Sequence, residues 1–284
     1  MYCKACPISC GADREKACGV CGESKDIRIA KYYLHPFEEP VLSAGNGSGT
    51  VFFCGCSLKC AFCQNFELSR SKRGKVITEA ELADIFKELE DMGANNINLV
   101  SPTHFTPQIV KAFEIYKPSI PVCYNTHGYE KLENLTIIDP YVDVYLPDLK
   151  FFSPKRAQRY CGRENYFDVA IKAIEFMINS KPCIEFGGLL KQGVIVRHLI
   201  LPQNLDETSK ILEALRPIIK DAYLSLMAQY TPFGEIEKLP ELKRKITRRE
   251  YETAVDKMNA LAYEKVFLQE FASQSTDFIP DWDF

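Results

Sequence analysis

The sequence lacks long apolar stretches. No apolar run approaches the roughly 20 residues that a membrane-spanning helix needs. The opening residues, MYCKACPISC, also lack the charged-then-apolar layout of a secretion signal. We therefore expect a cytoplasmic protein without a membrane partner.

An excess of charge of one sign is also missing. The 35 Lys and Arg residues are balanced by 38 Asp and Glu residues, which leaves a formal net charge of −3. The one basic cluster, KRKITRR at 243–249, is typical of a solvated helix entrance. This balance argues against a nucleic-acid surface, so we expect no nucleic-acid partner.

Cysteine, in contrast, is abundant and clustered. Of 12 cysteines, five lie within positions 3–21, four lie within 54–63 and three are scattered. Disulfide frameworks are typical of short secreted chains, so clusters in a long chain of this kind indicate metal binding instead. We predict a cysteine-rich metal-binding segment over residues 1–30 and a larger domain over 31–284.

From residue 50 onward, short apolar runs alternate with amphipathic helix patterns. One such helix opens with a capping box of Thr78 and Glu81. Six strand–helix repeats predict an α/β fold, built as a full or partial β/α barrel with its chemistry at the carboxyl ends of the strands. The predicted strands are 50–53, 96–100, 121–125, 142–146, 194–201 and 223–228.

The stretch CGCSLKCAFCQN (54–65) contains three cysteines at the spacing C-x3-C-x2-C. Thiolates are the ligands that Fe–S clusters and zinc select, and a structural zinc site wants four of them or their histidine equivalents. Cys56, Cys60 and Cys63 can instead hold three irons of a [4Fe-4S] cluster and leave the fourth iron open to a chelating ligand. Cys54 is the alternative fourth ligand if the strand continues, but we interpret it as a buried small residue.

This triplet, with Phe62 before its last cysteine, resembles the radical S-adenosylmethionine (SAM) enzymes. The stretches GANNINLVSPTHF, YNTHGYEKL, VDVYLPDLKFF, IVRHLILP and MAQYTP are similar to the subgroup related to pyruvate formate-lyase activating enzyme. The resemblance implies that SAM caps the open iron and that a low-potential donor, flavodoxin or ferredoxin, reduces the cluster. It further implies a 5′-deoxyadenosyl radical that abstracts hydrogen from a substrate.

The resemblance also suggests cofactor contacts. Asn125 and Thr126 occupy the place where activating enzymes carry an Asp-Thr-Asn-Gly run that serves the ribose or a cation. A polar turn with Gly128 at positive φ is the alternative. Asp148 and Lys150 resemble an Asp-x-Lys that reaches the ribose and the SAM carboxylate, with a surface ion pair as the alternative.

Arg197 and His198 are neighbours on a predicted strand, so only one of them should face the barrel interior. An arginine buried in a barrel needs an anion, and the SAM carboxylate would provide one. We therefore predict that Arg197 faces inward and binds SAM. His198 would then face the helices as a hydrogen-bonded core residue, or meet the substrate.

The second strand end departs from the activating enzymes. They carry a Gly-Gly-Glu there that holds the SAM ammonium, whereas this chain has NLVSPTHF. Ser101 and Thr103 offer hydroxyl acceptors, and His104 can reach a substrate. A helix cap formed by Thr103 or Thr106 is the alternative.

The segment before the triplet contains two further motifs. GNGSG (45–49) is followed by a strand, so it predicts a turn rather than a phosphate loop. HPFEEP brings His35, Glu38 and Glu39 close to the triplet in sequence. Two such carboxylates can bind a substrate amine or simply flank a turn.

The N-terminal cysteines predict a second metal site. Cys3, Cys6, Cys10 and Cys21 read C-x2-C-x3-C-x10-C. Structural zinc and a second Fe–S cluster both accept four thiolates, so the spacing leaves both open. Metal would also supply folding free energy to a unit too small for its own core. The scattered cysteines, Cys123, Cys161 and Cys183, are predicted to be ordinary core or surface residues.

These motifs predict a radical SAM oxidoreductase and leave its substrate open. One candidate is an activase that takes hydrogen from the glycine of a glycyl-radical enzyme, although the missing Gly-Gly-Glu weakens it. Another is modification of a peptide or small metabolite, with the N-terminal segment serving docking or electron relay. A non-catalytic Fe–S electron-transfer or metal-binding protein would leave YNTHG, LPDLK and RHLILP unexplained.

Overall fold

A mostly parallel sheet forms the centre of the molecule. The computed structural model describes residues 2–70, 73–275 and 282. The strands are β1 (Ile27–His35), β2 (Ser48–Phe53), β3 (Lys75–Ile77), β4 (Ile97–Val100), β5 (Val122–Thr126), β6 (Val144–Pro147), β7 (Ile184–Phe186), β8 (Leu189–Leu199), β9 (Tyr223–Met227) and β10 (Val266–Leu268).

Helices follow most of the parallel strands. They are α1 (Pro40–Ser43), α2 (Phe66–Arg70), α3 (Glu79–Asp91), α4 (Thr106–Ile115), α5 (Leu132–Ile138), α6 (Pro154–Cys161), α7 (Tyr166–Ser180), α8 (Leu205–Leu215) and α9 (Arg248–Ala260). In the described ranges, none of them is long and apolar enough to cross a membrane.

The strand order is β10-β9-β8-β6-β5-β4-β2-β1-β3, with β7 beside β8. The run from β2 to β10 is parallel, whereas β1 pairs antiparallel with both β2 and β3. Within the described residues, β2 and β10 do not pair with each other, so the barrel stays open. The structure therefore confirms the predicted α/β fold in its partial-barrel form.

Several elements were absent from the sequence prediction. The six predicted strands are all present, but β10 adds a seventh parallel strand, and β1 and β3 add an antiparallel edge. β1 begins at Ile27, so the segment that precedes the sheet ends at Asp26 rather than at residue 30. The predicted capping box of α3 is present, because Thr78 and Glu81 bond reciprocally through side chain and backbone.

The short helix α1 lies in the barrel interior. Leu42 of α1 forms one apolar cluster with interior residues of the central strands, namely Cys123, Val144, Leu146, Leu190 and Ile195. The opposite faces of these strands belong to the main core, which also contains buried residues of α3, α4, α7 and α8. Because side chains two positions apart share a strand face, Asn125 and Arg197 face the interior beyond α1.

Gly128, after β5, permits a close backbone approach. Its φ is +77°, and a Cβ atom there would lie 2.3 Å from the carbonyl oxygen of Asp148. The predicted positive φ is therefore present. Glycine at this position lets the ends of β5 and β6 lie side by side.

We expect Gly128→Ala to destabilise the protein more than Gly162→Ala does. Gly162 also has a positive φ, of +68°, but a Cβ there would meet nothing within 4 Å. In both variants, backbone strain lowers the free energy of unfolding by about 1 kcal/mol. In Gly128→Ala, the clash of the new Cβ with the Asp148 carbonyl lowers it by roughly 2 kcal/mol more. Urea unfolding measures the difference, and equal losses would contradict this account of Gly128.

Candidate active site

A cavity of about 660 Å³ opens at the carboxyl ends of the parallel strands. Residues from all seven parallel strands or the loops that follow them, and residues from the loop before α1, line it together. They include Cys56, Cys60, Phe62, Cys63, Ser101, Asn125, Thr126, Asp148, Lys150, Arg197, Ser225, Glu38 and Glu39. The structure thus brings most of the predicted site residues together around one space.

The three cysteines of the triplet share one electrostatic environment. Burial, with a smaller contribution from Cys60, raises the pKa of Cys56 and raises that of Cys63 to about 12. The Lys150 ammonium acts in the opposite direction on all three thiols. Three neighbouring thiols with raised pKa values need positive charge to ionise, and cluster iron would supply it.

These thiols suit a cluster better than a single metal ion. Among the described residues, no three His, Cys, Asp or Glu side chains are arranged to hold one metal ion. The cysteine ligands of a [4Fe-4S] cluster each bind a different iron, so they need not converge on a single point. Three thiols on one loop therefore fit a cubane that has one iron without a cysteine ligand.

Cys54 lies apart from this set. β2 ends at Phe53 and Gly55 has a φ of +78°, so the strand does not continue to Cys56 as the alternative reading required. Cys54 is fully buried, packs with Phe52 and Leu68, and donates to the Arg73 carbonyl over 3.1 Å. It occupies the place of a small core residue.

The loop after β2 that contains the three cysteines, residues 54–65, is called the cluster loop below. Phe62 anchors this loop by aromatic packing. Its ring contacts the rings of Phe151, Tyr160 and Tyr230 edge-on at about 6 Å. The thiol of Cys161 forms a hydrogen bond with the thiol of Cys60, and this bond raises the pKa of Cys60 well above its usual value. Cys161 is buried, as predicted for a core residue, but it also touches a predicted cluster ligand.

Arg197 faces the cavity, as predicted. Its Nε donates to Asp148 Oδ1 over 2.8 Å, and its Nη2 donates to Asn125 Oδ1 over 2.7 Å. Its Nη1 lies 3.4 Å from Glu38 Oε2. The protein itself therefore supplies carboxylates to Arg197, and the predicted contact of Arg197 with SAM stays a prediction.

His198 faces away from the cavity. Its Nδ1 donates to the Leu149 carbonyl over 2.8 Å, and its Nε2 accepts from the Thr208 hydroxyl over 3.0 Å. Burial lowers the pKa of His198 to about 4, so the ring is neutral near pH 7. It is a hydrogen-bonded core histidine and does not line the cavity.

Lys150 and Asp148 form a sheltered ion pair rather than an exposed surface pair. Lys150 Nζ lies 2.5 Å from Asp148 Oδ2, and the two side chains are 23% and 15% exposed. Burial would raise the pKa of Asp148, but Arg197 and Lys150 hold it below its usual value. Asp148 thus links Arg197 on one side to Lys150, beside the thiols, on the other.

Carboxylates enter the cavity from the loop before α1. Glu38 Oε1 accepts from Asn98 Nδ2 over 2.8 Å and from Asn125 Nδ2 over 3.2 Å. β4 ends without a carboxylate, as the sequence indicated, but Glu38 and Glu39 reach the same interior from elsewhere in the chain. Both carboxylates of HPFEEP therefore line the cavity, and their binding of a substrate amine stays a prediction.

Thr103 does not line the cavity. It is buried and donates over 2.5 Å to Oε1 of Glu130, which also accepts from Thr126. The predicted cofactor contact of Thr103 is therefore wrong. The alternative helix cap is wrong as well, because no side chain caps α4.

Ser101, in contrast, does line the cavity, and its backbone has a φ of +59°.

Two buried histidines, His127 and His104, form hydrogen bonds with the cluster loop. His127 Nδ1 accepts from the Tyr129 N–H, so its Nε2 carries the proton and donates to Ser57 Oγ over 3.0 Å. His104 Nε2 lies 2.7 Å from the Cys54 carbonyl and donates to it. Burial lowers the pKa of both rings to about 3. His104 therefore supports the loop and does not line the cavity.

The N-terminal segment packs directly on the cluster loop. The Cys56 N–H donates to the Cys21 carbonyl over 3.1 Å. A Cβ at Gly55 would lie 2.8 Å from that same carbonyl oxygen, so glycine is required for this approach. Arg14 adds hydrogen bonds to the carbonyls of His104 and Ser24.

Thiols of the N-terminal segment gather around Gly19. A Cβ there would lie 3.4 Å from Sγ of both Cys10 and Cys21. Cys3 hydrogen-bonds to Cys10 and acts electrostatically on Cys6 and Cys21. Cys18 is exposed. The zinc or second cluster predicted for Cys3, Cys6, Cys10 and Cys21 stays a prediction.

Three glutamines on the cavity wall were missed by sequence reasoning. Gln229 Nε2 donates to Gln64 Oε1 over 3.0 Å, and Gln269 Nε2 donates to Gln229 Oε1 over 2.6 Å. These bonds tie the cluster loop to the ends of β9 and β10. Each is a single amide side chain with no motif around it in the sequence. Gln269 also follows β10, a strand that the sequence did not predict, so no pattern indicated that the three side chains would meet.

We expect Glu130→Gln to remove a pH-dependent loss of stability. Burial raises the pKa of Glu130 to about 7, from an ordinary 4.5. Between these values the folded form keeps a proton that the unfolded form releases, so the free energy of unfolding falls as pH rises. The loss amounts to about 3 kcal/mol by pH 7 and then levels off.

Urea unfolding of both proteins at pH 5 and pH 8 measures this effect. Glu133→Gln, at a side chain that is 75% exposed in the neighbouring helix, serves as the control. If the wild type and Glu130→Gln lose stability in parallel over this range, Glu130 does not carry the raised pKa.

Comparison with known proteins agrees with this site. Residues 50–215 match the model of the radical SAM superfamily. The chain is 33% identical over 264 residues to an uncharacterized protein of Methanocaldococcus jannaschii, covering 89% of this chain and 73% of that one. It is 28% identical over 250 residues to the pyruvate formate-lyase-activating enzyme of Clostridium pasteurianum, covering 84% and 97%.

A solved structure shares the fold. The crystal structure of methylornithine synthase superposes with a TM-score of 0.50 at 14% identity, covering 75% of this chain and 60% of that one. The family model covers more than half of the chain, and its matched region begins just before the cysteine triplet. The protein therefore belongs to the radical SAM superfamily.

Proposed function

We propose that this protein cleaves SAM reductively at a [4Fe-4S] cluster held by Cys56, Cys60 and Cys63 and abstracts hydrogen from an organic substrate in the same cavity. The observation that carries the proposal is that the three thiols share a 660 Å³ cavity with polar side chains from six further parallel strands or the loops that follow them. When bound, the cluster and SAM supply the one-electron chemistry that generates a 5′-deoxyadenosyl radical.

The residues of the chain bind and orient these groups. Lys150 lies between the thiols and Asp148, where its ammonium can meet the carboxylate of SAM. Asp148 and Asn125 are held by Arg197, so their remaining lone pairs are fixed in direction. Phe62 and its aromatic neighbours exclude water beneath the cluster loop. A low-potential donor, flavodoxin or ferredoxin, would provide the electron.

Two substrate classes follow from different observations. The likeness to an activating enzyme along nearly its whole length supports hydrogen abstraction from the glycine of a glycyl-radical enzyme. The closed floor formed by α1, with charged groups above it, supports instead a small polar metabolite or the side chain of a peptide. We favour the second class, because a glycine offers nothing for a charged floor to bind.

We also propose that the N-terminal cysteines bind a second Fe–S cluster or, after a shift of their side chains, zinc, since no three of them are placed to hold one ion as they stand. Their thiols lie close together, and the Cys21 carbonyl accepts the backbone N–H of Cys56. Metal at this segment would thereby fix one side of the cluster loop.

We expect the reconstituted protein to form 5′-deoxyadenosine from SAM and dithionite under anaerobic conditions. The variant with Cys56, Cys60 and Cys63 all replaced by alanine should lose the iron of this cluster and form only background amounts of product, because no other cysteine of the described residues lines the cavity. Cys54→Ala should keep both iron and product, since Cys54 lies in the core. Product from the triple variant, or none from the wild type, would refute the proposal.

The same preparations separate the substrate classes. A glycyl signal in electron paramagnetic resonance after addition of a glycyl-radical enzyme from the same cell would favour the activase. Its absence, together with consumption of an amine-bearing metabolite or peptide, would favour the modifying enzyme.

We expect Cys10→Ser to lower the bound metal of the N-terminal segment, whereas Cys18→Ser leaves it unchanged. Cys10 lies beside Cys21 and Cys3, whereas Cys18 is exposed. Iron, sulfide and zinc analysis of the purified variants measures this directly. Equal metal content in wild type and both variants would mean that Cys10 is no ligand.

A further inference from the structure

The floor of the cavity carries more negative than positive charge. Among the described residues that line the cavity, Lys150 and Arg197 are the only lysine and arginine. Three carboxylates raise the pKa of Arg197 by their charge: Asp148, Glu38 and Glu39. Asp148 pairs with both cations, and Glu38 pairs with Arg197 over 3.4 Å. One carboxylate is therefore left without a salt bridge among the described residues, and it is Glu39.

Glu39 also lacks a full set of hydrogen bonds. Its Oε2 atom is buried and has no hydrogen-bond partner in the described protein. Burial and the neighbouring Glu38 raise the pKa of Glu39, whereas the charge of Arg197 and a hydrogen bond from the Ser225 hydroxyl act in the opposite direction. A cationic ligand would act in the same direction as Arg197 and favour the ionised carboxylate. A buried carboxylate oxygen without a donor is costly, so this atom favours a ligand that brings one.

The position of Glu39 separates it from the cluster cysteines. Ser225, whose hydroxyl acts on Glu39, lies within β9 four residues before Gln229, the residue that bonds to Gln64 beside Cys63. The ion pairs run from Lys150 through Asp148 to Arg197. Lys150 lowers the pKa of the thiols by its charge, whereas Glu39 raises the pKa of Arg197 at the other end of this series. Glu39 therefore lies nearer to the amino ends of the strands than the cysteine loop does.

We propose that Glu39 binds the protonated amine of the substrate, so that the substrate is a primary amine such as an amino-bearing metabolite or peptide side chain. This inference deepens the proposed function and rests on it. An ammonium brings three donors and one positive charge, which match the unpartnered Oε2 atom and the excess negative charge of the floor. Glu38, already held by Arg197, Asn98 and Asn125, keeps the adjacent backbone in place.

The test compares two probes of the same length, n-butylammonium chloride and n-butanol, on the reconstituted protein with SAM. Binding is measured as the rise of the melting temperature with probe concentration, at constant ionic strength. We expect n-butylammonium to bind at least about tenfold more tightly than n-butanol, which is the effect of one charge-assisted hydrogen bond. Equal binding of the two probes, as for a floor that holds only water, would overturn the proposal.

Substitutions locate the effect. Glu39→Gln should bring the two probes to nearly equal affinity, whereas Glu39→Asp should retain a preference for the ammonium. Glu237→Gln, at a side chain that is 91% exposed, removes the same charge elsewhere and should match the wild type. A preference that persists in Glu39→Gln overturns the proposal. If Glu39→Gln does not fold, loss of the preference at the conservative Glu39→Asp alone would also overturn it.

Two further readouts separate this inference from its alternatives. If Glu39→Gln weakens SAM binding but leaves the probe preference unchanged, the carboxylate serves SAM and the inference fails. Formation of 5′-deoxyadenosine by the wild type is assayed separately. Product without a probe preference refutes only the amine site, whereas a probe preference without product refutes only the proposed reaction.

Discussion

The buried guanidinium of Arg197 holds the candidate site together. It donates to Asp148 and Asn125 and lies against Glu38, so it joins the ends of β5, β6 and β8 to the loop before α1. Burial would lower the pKa of Arg197, but these carboxylates raise it instead. A buried charge persists only when it is paired and hydrogen-bonded, so the strand ends and the floor depend on one another.

The floor shows why a partial barrel can build a closed site. An open sheet leaves its interior accessible from both ends, and here α1 fills the lower end with Leu42 against interior residues of the central strands. The same segment delivers Glu38 and Glu39 above that apolar plug. Apolar packing thus positions the carboxylates, and the carboxylates in turn neutralise Arg197. A sheet closed fully on itself would have no room for such an insert.

Local patterns in the sequence were enough to predict the repeating part of this molecule. The capping box at Thr78 and the alternating apolar runs predict α3 and the central strands, because they depend on neighbouring residues alone. The spacing of Cys56, Cys60 and Cys63 predicts a cluster loop for the same reason. Arg197 and His198 were assigned to opposite faces correctly, since strand alternation decides it.

Contacts between distant segments were beyond the reach of those patterns. Thr103 was assigned to a cofactor because nothing in the sequence shows that Glu130 would accept its hydroxyl. The antiparallel edge formed by β1 was missed, because its pairing with β2 and β3 has no counterpart in the strand–helix repeat. The role of Glu38 depends on a fold in which residues 159 positions apart in the chain, Glu38 and Arg197, meet.

The order of charges across the cavity has a consequence for specificity. From the thiols to the floor, positive and negative groups alternate as Lys150, Asp148, Arg197 and then the two glutamates. Each internal member is neutralised by its neighbours, so only the two ends can gain from a ligand of opposite charge. The thiol end is suited to cationic iron, and the floor end to a cationic group of the substrate. A ligand with an anion at the floor would meet Glu39 without compensation, and such a mismatch rejects a ligand more strongly than a missing apolar contact does.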